Sequence, residues 1–193
     1  NTNITIEHNY KEPNIVKGYM IIWYRSHIVP FLLTVMAILI IATGAWIRVN
    51  DAGESCPDWP QCFGTWTFDV SEDEQAAYWE EHPEEIDSRG AEHRYTSYQI
   101  FTEWFHRLLV GTIGLFMIYS HYTAWSLREE IGNRVYQLHF IATFLLILQA
   151  IVGAITVDMD NAPWTVAMHL SLALFFTSSL IAVGFYWWEN QSK

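Results

Sequence analysis

With 193 residues, 51% of them hydrophobic, and a formal net charge of −11, the chain has no basic surface that would attract nucleic acid. The acid is not spread evenly: 14 of the 21 Asp and Glu lie between Asp51 and Glu103, where Arg89 and Arg94 are the only basic residues. The remainder is dominated by long apolar runs, which exclude an ordinary soluble domain.

The first residue is Asn1 rather than Met, so the numbering is expected to begin after a processed or omitted stretch. Residues 1–27 read as a cytoplasmic or interfacial segment. Within it Tyr19–Tyr24 is too short for a signal core and is bracketed by Lys17 and Arg25. The block Ile15–His27 is expected to lie along the inner surface as an amphipathic lead-in.

Four runs follow that approach the roughly 20 apolar residues needed to cross a bilayer: Ile28–Ile47, Trp104–Trp125, Leu138–Val157 and Trp164–Trp188. The first and third contain no Lys, Arg, Asp or Glu, and the second holds only Arg107. Pro30 falls in the first turn of its helix, where a missing amide donor does no harm. Trp46, Trp104, Trp125, Tyr136, Trp164 and Tyr186–Trp188 gather at run ends, as an interfacial belt does. The predicted fold is all-α: a polytopic four-helix membrane bundle over 28–188, with a long acidic outer loop at 51–98 between helices one and two and a tail at 189–193.

Orientation follows from the basic residues of the short flanks. Lys11, Lys17 and Arg25, then Arg128 and Arg134, then Lys193 all fall on one side after an even number of crossings. This places both termini in the cytoplasm and the 51–98 loop outside, in a plasma membrane whose lipid is the first expected partner. Within that loop Ser71–Asp87 reads as a solvated acidic helix.

Of the eight histidines, those at bilayer depth matter most, because polar groups there are costly and usually functional. His106 lies about eight residues from Tyr98, where the second helix is expected to begin, and His169 six from Pro163, which starts the fourth. At about 1.5 Å per residue both imidazoles sit about 9–12 Å below the outer boundary. Two such imidazoles facing across a bundle can ligate a haem iron axially; alternatively each is satisfied by a neighbouring carbonyl. Glu103, three residues before His106, shares its helix face. It is a candidate acid/base group beside a haem, or else a headgroup-level partner of Arg107 at i+4. Arg107 and Arg48 are candidates for haem propionates. His121 and His139, with His27 nearby, read as interfacial polar residues at the inner ends, a second inner haem site being the alternative.

Cys56 and Cys62 enclose Pro-Asp-Trp-Pro-Gln just beyond the first helix, in a compartment where disulfides persist. A structural clip and a redox-active pair are both compatible with that spacing. Zinc is disfavoured, since only His82 and His93 in the long loop could complete its ligands, and no separate metal site is expected.

Taken together these residues resemble the haem A synthase family. Gly44-Ala45-Trp46-Ile47-Arg48-Val49 and then Gly53-Glu54-Ser55-Cys56-Pro57-Asp58-Trp59-Pro60-Gln61-Cys62-Phe63-Gly64 look like its first outer loop. Glu103-Trp104-Phe105-His106-Arg107 is similar to its Glu-x-x-His-Arg motif. Gln149 to Gly153, Thr156-Val157, Pro163 and His169-Leu170 match its third and fourth helices. The resemblance spans roughly residues 30–185 and implies conversion of haem O to haem A by oxidation of a ring methyl to a formyl. It implies His106 and His169 as ligands of haem b or haem O, Glu103 as the acid/base residue and Cys56 and Cys62 as a disulfide near the haem edge. Most members have eight helices, so the resemblance implies a homodimer or a second four-helix subunit, and contacts with a haem O synthase or a terminal oxidase. The alternatives are a b-type cytochrome that transfers electrons and a non-catalytic oxidase-assembly subunit.

Overall fold

A computed structural model describes residues 28–191; the predicted interfacial lead-in and His27 lie outside the described residues. The elements are α1 (Ile28–Val49), α2 (Glu72–Glu81), a 3-10 turn (Pro83–Glu85), α3 (Ser97–Ser126), α4 (Arg128–Ile131), α5 (Asn133–Asp158) and α6 (Pro163–Gln191). The fold is all-helical among the described residues. Three of its helices, α1, α5 and α6, are long and apolar enough to cross a membrane, where four such runs were expected. The helix containing the run Trp104–Trp125 is α3, longer than the run itself and lowered in hydropathy by Glu103, His106, Arg107, His121 and its Ser and Thr residues. The chain is an integral membrane protein.

Each long helix packs against two neighbours: α1 on α3 and α6, and α5 on α3 and α6. The four therefore form a square, with α3 and α6 on one diagonal. Its centre is a cluster of Leu33, Ala37, Ile113, Met117, Ala142, Phe176 and Leu180, all buried. The outward faces carry Leu32, Val35, Leu39, Leu115, Phe144, Ile147, Leu174 and Phe175, all exposed. Such a surface would be an aggregation hazard in water and is what lipid solvates. Small residues set the closest approaches: a Cβ on Gly184 would meet the Phe31 ring at 3.2 Å.

Helix ends follow local chemistry. Thr96 caps α3 and Gln99 completes a capping box. Gly132, at φ 83°, turns the chain from α4 into α5 in a conformation that side chains disfavour. Asp160 and Asn161 take left-handed conformations between α5 and α6, a role their short polar side chains tolerate, and Pro163 opens α6.

The outer segment has its own core of Cys56, Cys62, Phe63, Val70, Trp79, Tyr95 and Ile100. The expected solvated helix over Ser71–Asp87 is shorter, Glu72–Glu81, because Pro83 denies His82 the helical conformation. It is also less solvated than expected. Trp79 is buried edge-on against Phe63 at 5.3 Å, and Gln75 ties the Tyr95 backbone from both sides, donating to its carbonyl at 3.0 Å and accepting from its N–H at 2.8 Å. Burial and the bond to Asp87 hold the Tyr95 phenol well above its ordinary pKa, so it stays a donor.

Candidate functional site

The outer end of α3 and the cysteine loop are built as one unit around Glu103. Its carboxylate is 4% exposed. Oε2 accepts from the Cys56 N–H at 3.0 Å and the Ser55 hydroxyl at 3.1 Å, and Oε1 from Arg107 at 2.6 Å. The Arg107 guanidinium also donates to the carbonyls of Cys56 at 2.5 Å, Gln61 at 3.1 Å and Asp58. Cys56 and Cys62 form a disulfide, and both are fully buried. Of the two readings of Glu103, the pairing with Arg107 is present, at a site buried by the loop. Arg107, expected at a propionate, instead has four of its five N–H donors committed to Glu103 and the loop. Arg48 is exposed in the last turn of α1, with no hydrogen bond or ion pair among the described residues.

Below this unit His106 and His169 lie on the diagonal pair α3 and α6. The His106 Nδ1 meets the Thr43 hydroxyl at 2.9 Å. The same hydroxyl lies 2.9 Å from the Ile40 carbonyl. When its hydrogen goes to that carbonyl, it accepts from a proton on Nδ1, the tautomer that leaves the lone pair on Nε2. His169 is held from α5: its Nε2 lies 3.2 Å from the Gln149 amide nitrogen. Its Nδ1, and Gln149 Oε1, are buried without a hydrogen-bond partner. Each ring rests on a glycine of the adjoining helix. A Cβ on Gly44 would stand 3.3 Å from His106 Cε1, and one on Gly153 would stand 2.8 Å from His169 Cε1.

This donor set suits a haem iron. Two imidazoles from opposite corners of the square are what bis-histidine ligation requires. His106 meets Thr43 through Nδ1 and keeps Nε2 for a ligand, His169 would exchange the Gln149 contact at Nε2 for iron, and both glycines leave room that a methyl would fill. Gly153→Ala is expected to displace the His169 ring and separate α5 from α6, costing about 1–3 kcal/mol as overpacking does. A thermal melt in detergent checks this; an unchanged melting temperature would contradict the close contact.

The inner histidines differ from the interfacial reading. His139 is 2% exposed, with Nε2 at 2.8 Å from the Ser120 hydroxyl and Nδ1 without a partner. His121 Nδ1 meets Thr143 at 2.8 Å, and the two imidazoles stand edge to face at 5.8 Å. His139 is thus a core residue, placed inward by its register on α5. Thr43, Ser55, Ser120 and Thr143, which orient these groups, were not singled out from sequence. Hydroxyls one helix away from their histidines leave no linear spacing to read.

The family model described as "Cytochrome oxidase assembly protein" matches residues 27–193. The chain is 28% identical to the heme A synthase of Shewanella oneidensis over 136 residues, covering 70% of this chain and 38% of the relative. It is 26% identical to that of Lysinibacillus sphaericus, over 83% of this chain and 44% of the relative. With that of Novosphingobium aromaticivorans the identity is 28%, over 78% and 46%. The chain thus spans less than half the length of these relatives. No solved structure matches it. A family match running through every long helix and the cysteine loop leaves one conclusion: the chain belongs to the cytochrome oxidase assembly protein family.

Proposed function

We propose that this chain is a haem A synthase-like membrane oxidoreductase that oxidises a ring methyl of haem O to a formyl, for terminal oxidase biogenesis. The observation that carries the reading is the pair of imidazoles on diagonal helices directly beneath a buried carboxylate and a disulfide. When bound, the haem supplies the iron and, as haem O, the methyl to be oxidised. His106 and His169 would hold the iron, at haem O or at a haem b cofactor. Oxidation of a methyl to a formyl takes up the oxygen of water and releases protons, with the electrons passing to an external acceptor, and Glu103 is the ionisable group nearest the ligand His106 on its helix face. Arg107 fixes Glu103 in place and offsets its charge, while the Cys56–Cys62 disulfide covers the outer side against water. Arg48, exposed and uncommitted, is the remaining candidate for a propionate.

The same reading takes residues 28–188 as one haem-binding domain, with α3 as the fourth crossing. A polar helix crosses where its charges are internally paired, as Glu103 and Arg107 are. Both termini then lie in the cytoplasm and the cysteine loop outside the plasma membrane. A second copy or another four-helix subunit would complete a two-haem unit, in contact with a haem O synthase or the oxidase. Engagement of Glu103 by Arg107 favours a second reading, a b-type cytochrome that only transfers electrons. Expression in a host that makes haem O, followed by pigment extraction, separates the two. Haem A should appear with this chain and vanish with Glu103→Gln. Bound haem b with no haem A would select the cytochrome, and absence of any haem would reject both.

A further inference from the structure

We infer that the cysteine loop is a membrane-seated wedge whose Trp59 and Trp66 insert into the outer-leaflet interface, anchoring the disulfide to lipid rather than standing free in water. The depth of the loop follows from α1. At 22 residues that helix is about 33 Å long, close to the hydrocarbon thickness of about 30 Å. Trp46 near its outer end donates to the Tyr98 hydroxyl at 2.6 Å, and Gln99 reaches the Asn50 carbonyl at 3.2 Å. The first turn of α3 is therefore level with the end of α1. Two turns further in, His106 meets Thr43, which lies six residues before Val49, about 9 Å below the end of the membrane helix. The next residue, Arg107, is the one that binds the carbonyls of Cys56, Asp58 and Gln61. The Arg107 guanidinium turns back to Glu103, and Ser55 and Trp66 are tied to Gln99 and Trp104. The loop thus does not sit on top of the bundle; it packs beside the first two turns of α3, alongside and just below the end of α1.

Along this stretch the loop pairs polar groups within itself and leaves two indoles uncovered. Gln61 donates to the Gly64 carbonyl at 3.0 Å, Asp58 accepts from the Gly64 N–H at 3.1 Å, and the disulfide is buried. Trp59 is 80% exposed and Trp66 69% exposed. Trp66 is pinned to α3 by the bond from Trp104 Nε1 to its carbonyl at 3.0 Å. Phe68 packs on Phe101 at 4.9 Å and Trp104 at 5.2 Å. From there the exposed faces of Phe101, Phe105 and Leu108 carry the surface down the helix. Bare indoles at interfacial depth, continuous with an apolar helix face, match the place where Trp concentrates in membrane proteins. The occupant is the glycerol and upper acyl region of outer-leaflet lipid.

The test uses the full chain in phosphatidylcholine nanodiscs whose acyl chains carry bromine at shallow or at deep positions. The Trp59→Phe and Trp66→Phe variants, both at exposed sites, are compared with wild type by difference emission. The indole lost in each variant should emit at short wavelength and be quenched about twofold more by shallow than by deep bromines, as an interfacial depth requires. Water-like emission, quenched by acrylamide and untouched by lipid bromines, would overturn the inference. So would emission shielded from both quenchers, which would place a second copy of the chain over the patch. Circular dichroism and retention of the disulfide check that each variant folds, and either variant alone suffices. Haem content does not enter the measurement, so its outcome is independent of the proposed enzymatic reading.

Discussion

Glu103→Ala should unseat the cysteine loop. The substitution removes the acceptor for the Cys56 N–H and the Ser55 hydroxyl and leaves Arg107, bonded also to three loop carbonyls, with no counter-charge. Breaking a buried pair from one side costs about 3–5 kcal/mol, because the remaining charge stays out of water. The loop should open before the bundle does, since this carboxylate is a main polar tie to α3, beside the Trp104–Trp66 bond and the packing of Phe68, while the bundle centre of Leu33, Ile113, Met117 and Leu180 is untouched. Hydrogen exchange at the Cys56 amide reads this directly: protection should fall by orders of magnitude while amides in α5 keep theirs. Unchanged protection would mean that the loop is held by its own aromatic core. Glu103→Gln separates structure from chemistry. Its amide oxygen can still accept from Cys56, but Arg107 loses its counter-charge here too, so the loop should loosen less than in Glu103→Ala while the side chain can no longer take up a proton. A variant that keeps amide protection and loses haem A formation assigns Glu103 a proton-moving role. One that keeps both confines it to holding the loop.

Glu103 also marks the limit of what the sequence allowed. Its two readings, paired with Arg107 or acting beside a haem, could not be separated from spacing, because both need the same helical face. What spacing could not show is that the carboxylate also accepts a backbone N–H from Cys56, 47 residues away. The long helices were legible because apolar length is a local property: Ile28–Val49 and Asn133–Asp158 enclose the predicted runs with a few residues to spare. The run at Trp104–Trp125 was legible as a helix, but its polar face lowers its hydropathy, since the groups it carries are matched by other elements. In the outer loop, counting charge suggested a solvated helix. Trp79 and Gln75 decide otherwise, and the single strong signal for that was a tryptophan among glutamates. His139 was assigned to an interface by its distance from the end of α5. Burial came instead from which side of the helix faces Ser120, a tertiary matter.

The largest spectroscopic effects are expected at the imidazoles. If His106 and His169 are the axial pair, His106→Ala and His169→Ala should each abolish the six-coordinate low-spin haem spectrum of the purified protein, since neither neighbour, Thr43 nor Gln149, can replace an imidazole on iron. A low-spin spectrum surviving both single variants would exclude the pair. Thr43→Val is the finer experiment. Valine keeps the volume but removes the hydroxyl that meets His106 Nδ1 and the Ile40 carbonyl. Loss of such an orienting partner typically weakens a metal site by about 10–100-fold, and the ring would be free to carry its proton on Nε2, the atom needed for iron. Haem affinity measured by titration should therefore fall in Thr43→Val, with the spectrum of the loaded fraction remaining low-spin. Thr43→Ser, which retains the acceptor, should restore it. A Thr43→Val protein that binds haem as tightly as wild type would show that ligation does not use Nε2 of His106, and the inner pair His121 and His139 would become the imidazoles to test next. Thr143 holds His121 by the same arrangement, its hydroxyl bonded to the His139 carbonyl at 3.0 Å and to His121 Nδ1 at 2.8 Å. The same hydroxyl device thus occurs at both ends of the bundle, and among the described residues it is the outer one that stands beside a buried carboxylate.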